Sequence, residues 1–188
     1  MSPTRPKHAG RDLSLEAELK FRLDGAADQA RLRSRLRELE AESEGAYDEE
    51  NIRFEVPAKT KVSLRLRILD GGRKGIITTK GPARFERNIK IREETEVEVA
   101  DAMAARDLLQ SLGYPVEFTF HKHRAGWKVD GVSVTLDTLD FGFFTEIEGP
   151  PEALPGVAKS LGLDPKQAIR QSYSSLAREH LRELKKNA

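Results

Sequence analysis

A chain of 188 residues is long enough for one domain with a sizeable core and too short for two ordinary ones. Charged residues make up 34% and hydrophobic ones 38%, and 32 basic residues against 31 acidic ones leave a net charge of +1, which argues against a dedicated nucleic-acid binder with its clear basic excess. The absence of cysteine excludes disulfides and thiolate zinc sites, and no apolar run is long enough to span a membrane.

Residues 1–12 read as a flexible basic leader without the apolar stretch of a secretory signal, which leaves 13–188 as a single domain and the cytoplasm as the expected compartment. A strand is expected at about Leu13–Leu23, and from Leu15 to Arg22 the chain alternates apolar and charged residues without a slip. Leu15, Ala17, Leu19 and Phe21 fall on one face, and Glu16, Glu18, Lys20 and Arg22 on the other. This is the period of a β-strand with two unlike faces. Asp24-Gly25 ends it. Leu32, Leu36 and Leu39 recur at helical spacing and predict a helix over Ala26–Glu42, broken by Gly45. Strands are expected at Ala46–Val56, Val62–Leu69, Gly75–Lys80 and Asn88–Val99, with Asp70-Gly71-Gly72 and Gly81-Pro82 as turns. A helix follows at Asp101–Leu112, with Asp101 as its cap and Gly113 as its stop. A meander then runs through Val116–Arg124, Trp127–Val129, Val132–Thr138 and Phe143–Glu148. Helices at Pro151–Leu161 and Pro165–Lys185 close the chain, the second capped by Asp164.

About eight strands and a few helices make an α+β pattern built on antiparallel pairing. Eight such strands can close into a barrel, which removes exposed edges. The charged faces recur from strand to strand: Glu16, Glu18 and Lys20; Arg65 and Arg67; Lys80; Arg92, Glu94, Glu96 and Glu98; Lys122 and Arg124; Asp137; Glu146 and Glu148. With helices covering the apolar faces, the charged ones line an interior. Buried charge is costly unless paired, metal-bound or solvated, so the expected barrel is a wet, charged tunnel. Carboxylates hold hard cations such as Mg²⁺ or Mn²⁺ through oxygen, and Lys and Arg hold phosphate oxygens. The mixture suits a polyphosphate bridged by metal, without a Walker loop.

Seven motifs stand in order along the chain: Glu16-x-Glu18-x-Lys20; Leu64-Arg65-Leu66-Arg67; Thr78-Thr79-Lys80-Gly81-Pro82; Arg92-x-Glu94-x-Glu96; Lys122-x-Arg124; Leu136-Asp137; and Phe144-x-Glu146-Ile147-Glu148-Gly149. Together they resemble the CYTH domain, or triphosphate tunnel metalloenzyme, family. Tyr47, Asn51 and Phe54 loosely echo its second strand, and Ser172-Tyr173 a pair near its end. The resemblance implies an eight-stranded antiparallel tunnel with helices outside. By position, Glu16, Glu18, Glu146 and Glu148 look like the main ligands of Mg²⁺ or Mn²⁺, with Asp137, Glu94 and Glu96 as further candidates. Lys20, Arg65, Arg67, Lys80, Lys122 and Arg124 look like the phosphate clamp, with Glu16, Glu18 and Lys20 at the chemical step.

The compact length, Lys80-Gly81-Pro82 and Leu139-Asp140-Phe141-Gly142-Phe143-Phe144 resemble the class IV adenylyl cyclase group, which implies conversion of ATP to cyclic AMP and pyrophosphate. Inorganic tripolyphosphatase, nucleoside or thiamine triphosphatase, and a non-catalytic polyphosphate-binding module stand as alternatives. Thr79 occupies the position where the cyclase group often carries an aromatic residue, and no stacking platform for adenine is evident. The expected partner is a triphosphate-bearing small molecule (ATP, tripolyphosphate or thiamine triphosphate), with no nucleic acid and no membrane; a homodimer is left open. His121 and His123 are expected as partly buried structural residues, Trp127 as packing and Glu98 as a solvated face.

Overall fold

The computed structural model describes residues 14–186, so the leader expected at 1–12 lies outside the described residues. Nine strands and four α-helices run in the order β1 (Ser14–Leu23), α1 (Ala26–Glu38), β2 (Glu42–Phe54), β3 (Ser63–Leu69), β4 (Lys74–Lys80), β5 (Arg84–Glu86), β6 (Ile89–Val99), α2 (Ala102–Ser111), β7 (Val116–Val129), β8 (Val132–Leu139), β9 (Gly142–Glu148), α3 (Leu154–Ser160) and α4 (Tyr173–Lys186). Eight strands form a closed antiparallel barrel in the order β1-β9-β8-β7-β2-β3-β4-β6, and pairing of β6 back to β1 completes the ring. The short β5 adds to β6 at residues 89–91, on the side where β4 has already left after pairing with residues 94–99.

Strict alternation decides what faces outward. Leu19, Val134, Leu136 and Ile147 leave the barrel wall and pack against Leu32 and Leu36 of α1 and Leu154 and Val157 of α3. Ala102 of α2 covers Ile52, Phe54, Leu64, Leu66 and Ile68 on the opposite side. Each fully buried Leu or Phe of these layers contributes about 1.5–3 kcal/mol. The third apolar cluster is internal. Phe120, Leu139 and Phe144 stand two residues from Lys122, Asp137 and Glu146, on the same inward face, and Tyr173, Leu176 and Ala177 of α4 pack onto them. Thus α4 covers the inner wall at one end of the barrel.

Several boundaries differ from the sequence reading. Helix α1 stops at Glu38, not Glu42, because Glu40 takes a left-handed conformation (φ 55°) and starts β2 early. Gly45 (φ 91°) is not a helix stop: it forms a β-bulge, where the register jumps from Ser43 opposite Trp127 to Gly45 opposite Gly126. Gly126, expected as a turn, is therefore inside β7, which runs unbroken through residues expected as two strands. Pro165 opens only a 3₁₀ turn (Pro165–Gln167), although Asp164 caps it by accepting from the Lys166 amide. The chain then runs extended, with the Ile169 amide donating to the Lys20 carbonyl (2.7 Å), and α4 starts at Tyr173.

The α2 layer seats on β4 at Gly75. A Cβ there would come within 2.9 Å of Ala102 Cβ and 3.0 Å of Leu66 Cδ1 and Val99 Cγ2. Gly75→Ala is expected to lower stability by about 1–3 kcal/mol, read as a lower urea midpoint at unchanged m-value. An unchanged midpoint would contradict this packing.

Candidate active site

The barrel encloses a cavity of about 670 Å³. All the expected site residues except Asp137 line it, and Asp137 lies directly behind Arg124 in the wall. Cross-strand register explains the convergence, since directly paired residues share a face. Glu16 pairs with Arg92, Glu18 with both Lys90 and Glu148, Lys20 with Glu146, Lys80 with Glu94, and Arg124 with Asp137.

Ion pairs join these positions around the ring. Lys80 Nζ lies 3.1 Å from Glu16 and 2.7 Å from Glu94, and Arg92 Nε lies 3.3 Å from Glu16. Lys90 Nζ donates to Glu18 at 2.8 Å, and Lys20 Nζ sits 3.0 Å from Glu146. Arg124 donates to both oxygens of Asp137, at 2.7 and 2.6 Å, and also to Glu146. The Tyr173 hydroxyl donates to Asp137 at 2.7 Å, and its ring lies beneath Lys20 (4.1 Å) and Lys122 (5.4 Å). Asp137, expected among the candidate metal ligands, therefore has both oxygens engaged as the anchor of Arg124 and Tyr173. Glu96 sits at the outer end of the row, half exposed, accepting from the Thr78 hydroxyl at 2.8 Å.

Five charged residues that line the cavity, Arg53, Lys61, Lys90, Arg170 and Arg178, are absent from the sequence reading of the site, as is Glu49 behind it. Glu49 lies 3.0 Å from Lys122 and 3.4 Å from Arg67. Glu49, Asn51 and Arg53 alternate with Glu50, Ile52 and Phe54, so the signal was an alternation in β2. Thr79 is one residue out of phase with the inward Thr78 and Lys80 and pairs with Leu64 of the outward layer. His121 and His123, expected as partly buried, are exposed on the outer wall, where His123 Nδ1 lies 2.8 Å from Asp48 Oδ1. Trp127 packs against the α1 layer, and Glu98 is exposed.

Electrostatics divide the cavity. Twelve lysines and arginines line it against six glutamates, although the whole chain carries only +1. The Nε groups of Arg53 and Arg65 are buried without a hydrogen-bond acceptor, and Arg67 Nε has only the 3.4 Å ion pair with Glu49. Burial, then the neighbouring Arg67 charge, lowers Arg65 to about 10, and burial with Arg124 nearby lowers Lys122 to about 8. Lys20, despite its burial, is held charged by Glu18 and Glu146. The carboxylates crowd one corner. Burial and a hydrogen bond with Glu16 push Glu94 up to about 8, against the pull of Lys80. Glu16, against its burial, is held well below the usual carboxylate range by that bond and by Lys80 and Arg92. Burial and the Glu16 and Glu146 charges push Glu148 up to about 7.

These residues fit a divalent cation. Every donor is a hard carboxylate oxygen, and Glu94 and Glu148, raised first by burial and then by neighbouring carboxylates, are groups whose charged form a bound divalent cation would favour. Among the described residues no three carboxylate or imidazole groups form a ready coordination shell, because Lys20, Lys80, Lys90, Arg92 and Arg124 hold the carboxylates instead.

The sequence model of the CYTH domain matches residues 14–173. The chain belongs to the CYTH domain family. A candidate adenylate cyclase of Methanocaldococcus jannaschii is 28% identical over 129 residues, 63% of this chain and 72% of the relative. A solved structure from Pyrococcus horikoshii superposes with a TM-score of 0.72 at 29% identity, covering 86% of this chain and 98% of that one. A candidate adenylyl cyclase from Hippeastrum, described as revealing a dominant triphosphatase activity, shares the fold at 21% identity and a TM-score of 0.68, covering 88% of this chain and 96% of that one. No helix among the described residues is long and apolar enough to cross a membrane.

In this CYTH domain Asp137 is fully buried under two cations. Removing one partner of such a group leaves uncompensated charge, so Asp137→Asn is expected to cost about 3–5 kcal/mol in urea unfolding. A loss well under about 1 kcal/mol would be the behaviour of an exposed pair and would contradict the burial described here.

Proposed function

We propose that this protein is a divalent-cation-dependent enzyme acting on triphosphates, with conversion of ATP to cyclic AMP and pyrophosphate as its leading reaction. The observation that carries the proposal is the concentration of positive charge inside: twelve lysines and arginines line the cavity against six glutamates, Asp137 and Glu49 behind the wall offset only part of the excess, and the buried Nε groups of Arg53 and Arg65 lack acceptors. A buried donor without a partner costs about 1–3 kcal/mol. A polyanion laid along the tunnel satisfies these donors and offsets the charge excess.

In this reading Arg65, Arg67, Lys80, Lys122 and Arg124 hold phosphate oxygens, with Lys20 beneath the reacting phosphate. Asp137 and Tyr173 fix the direction of Arg124 and Lys20. Glu16, Glu18, Glu146 and Glu148, with Glu94 and Glu96 beyond them, would hold Mg²⁺ or Mn²⁺. When bound, that cation would neutralise phosphate oxygens and the charge that develops on the leaving group. Attack of the ribose 3′-hydroxyl oxygen on the α-phosphorus forms the cyclic ester, gives up the hydroxyl proton to solvent, breaks the α–β anhydride and releases pyrophosphate. The clamp lowers the barrier by aligning the chain and by pre-placed positive charge.

A second reading, hydrolysis of the terminal phosphate, uses the same clamp. It is favoured by the triphosphatase activity described for the Hippeastrum neighbour. A non-catalytic module is the weaker reading, since phosphate binding alone has no use for the carboxylate corner.

Incubation with ATP, tripolyphosphate and thiamine triphosphate in Mg²⁺ or Mn²⁺, with chromatography of each product, separates these readings. Cyclic AMP and pyrophosphate are expected from ATP; ADP and phosphate without cyclic nucleotide would replace the cyclase reading with the hydrolase. Glu148→Gln should remain folded and lose turnover, and Arg65→Ala should weaken triphosphate binding by about 2–5 kcal/mol. Wild-type turnover by Glu148→Gln at saturating substrate would remove Glu148 from the metal site.

A further inference from the structure

The β5–β6 hairpin carries a feature that the clamp does not use. After Lys80 the chain turns through Gly81, whose amide donates to the Glu93 carbonyl at 2.9 Å, and re-enters the sheet as β5. Phe85 of β5 stands directly opposite Lys90 of β6. Directly paired residues project on the same face, and Lys90 points inward, with its Nζ 2.8 Å from Glu18. Phe85 therefore lies on the cavity wall, one strand away from the carboxylate bank.

The three aromatic side chains that line the cavity are not equivalent. Phe120 and Tyr173 are 7% and 8% exposed and are consumed in packing α4. Phe85 is 37% exposed, among the described residues the one open ring in the lining. Leu15 and Val62, also exposed, line the same cavity. The Arg170 guanidinium lies over the ring at 4.9 Å and also lines the cavity. An open aromatic face backed by a guanidinium, beside a row of phosphate-binding groups, has the chemistry of a nucleobase platform: every base offers a π-face for stacking, and arginine adds a cation–π contribution.

We propose that Phe85 and Arg170 form the subsite for the base of a nucleoside triphosphate, so that the cavity takes a nucleotide in preference to bare tripolyphosphate. The proposal rests on the reading of the cavity as a triphosphate site. The base stacks on the Phe85 ring next to Arg170 while the phosphates run inward from the Lys90 level toward Arg124. The positive charge of Arg170 favours an uncharged, electron-rich purine and disfavours the cationic thiazolium of thiamine triphosphate.

The test is calorimetric binding of ATP, tripolyphosphate and thiamine triphosphate to the wild type, Phe85→Ala and Phe85→Trp, with Ca²⁺ in place of a catalytic ion. Stacking of one base corresponds to about 5- to 150-fold in affinity. Phe85→Ala should lose about that factor for ATP with tripolyphosphate binding unchanged, and Phe85→Trp should keep it. Equal losses for ATP and tripolyphosphate, no loss for either, or thiamine triphosphate binding more tightly than ATP to the wild type would each overturn the platform. A wild type that binds none of the three would overturn the triphosphate site itself and the platform with it, whereas strong tripolyphosphate binding indifferent to Phe85 removes the platform alone.

Discussion

The fold depends on one constraint: charged side chains placed inside a barrel have to neutralise one another or a ligand. A lone buried charge costs several kcal/mol even after relaxation, and a pair recovers this only with good geometry. The wall meets the constraint by register. Cross-strand neighbours of opposite sign, such as Glu16 and Arg92, Glu18 and Lys90, Lys20 and Glu146, and Arg124 and Asp137, face each other across hydrogen-bonded strands. The neutralisation is incomplete, and the remainder has one sign. Cations outnumber glutamates in the lining, while carboxylates crowd a single corner where burial and Glu16 push Glu94 up. A triphosphate carrying a divalent cation is the complement of that residue of charge.

The same constraint explains the last helix. A tunnel open at both ends would solvate its charges equally along its length. Here α4 lays Tyr173, Leu176 and Ala177 against Phe120, Leu139 and Phe144, which makes one end apolar. Tyr173 then serves both halves, packing against Phe144 at 5.3 Å between ring centroids, with its hydroxyl on Asp137 and its face under Lys20. Burial and the nearby Glu146 and Asp137 charges hold the Tyr173 phenol well above its ordinary range, so it stays a hydrogen-bond donor throughout the physiological range. The extended approach to α4, tied by the Ile169 amide to the Lys20 carbonyl, fixes this plug to the strand that carries Glu16, Glu18 and Lys20.

Much of this was legible from alternation alone. The unbroken period of two in β1, β3 and β6 assigned the faces of Glu16, Arg65, Arg92 and their neighbours, and the recurrence of charge on one face implied a closed interior. What alternation could not show follows from physics that acts between strands. Gly45 and Gly126 both look like breakers by residue type, yet opposite each other they allow a bulge inside a long strand pair. Glu49 and Arg53 were hidden because Tyr47 shares their parity while looking like a core residue. Asp137 looks like a metal ligand by motif, and only the placement of Arg124 and Tyr173 shows that its oxygens are taken. Phe85 belongs to a three-residue strand whose existence depends on β6 outrunning β4, a matter of relative strand length that no local pattern encodes.

The central claim is that the inner wall is built for a triphosphate and a divalent cation together. A crystal structure grown with tripolyphosphate and Mn²⁺, with Mn²⁺ located by its anomalous signal, tests it most directly. The account predicts an anomalous peak within coordinating distance of Glu16, Glu18, Glu146 or Glu148, and phosphate oxygens on Arg65, Arg67, Lys122 and Arg124. Mn²⁺ on the outer wall beside Asp48 and His123, or tripolyphosphate bound outside the barrel, would contradict it.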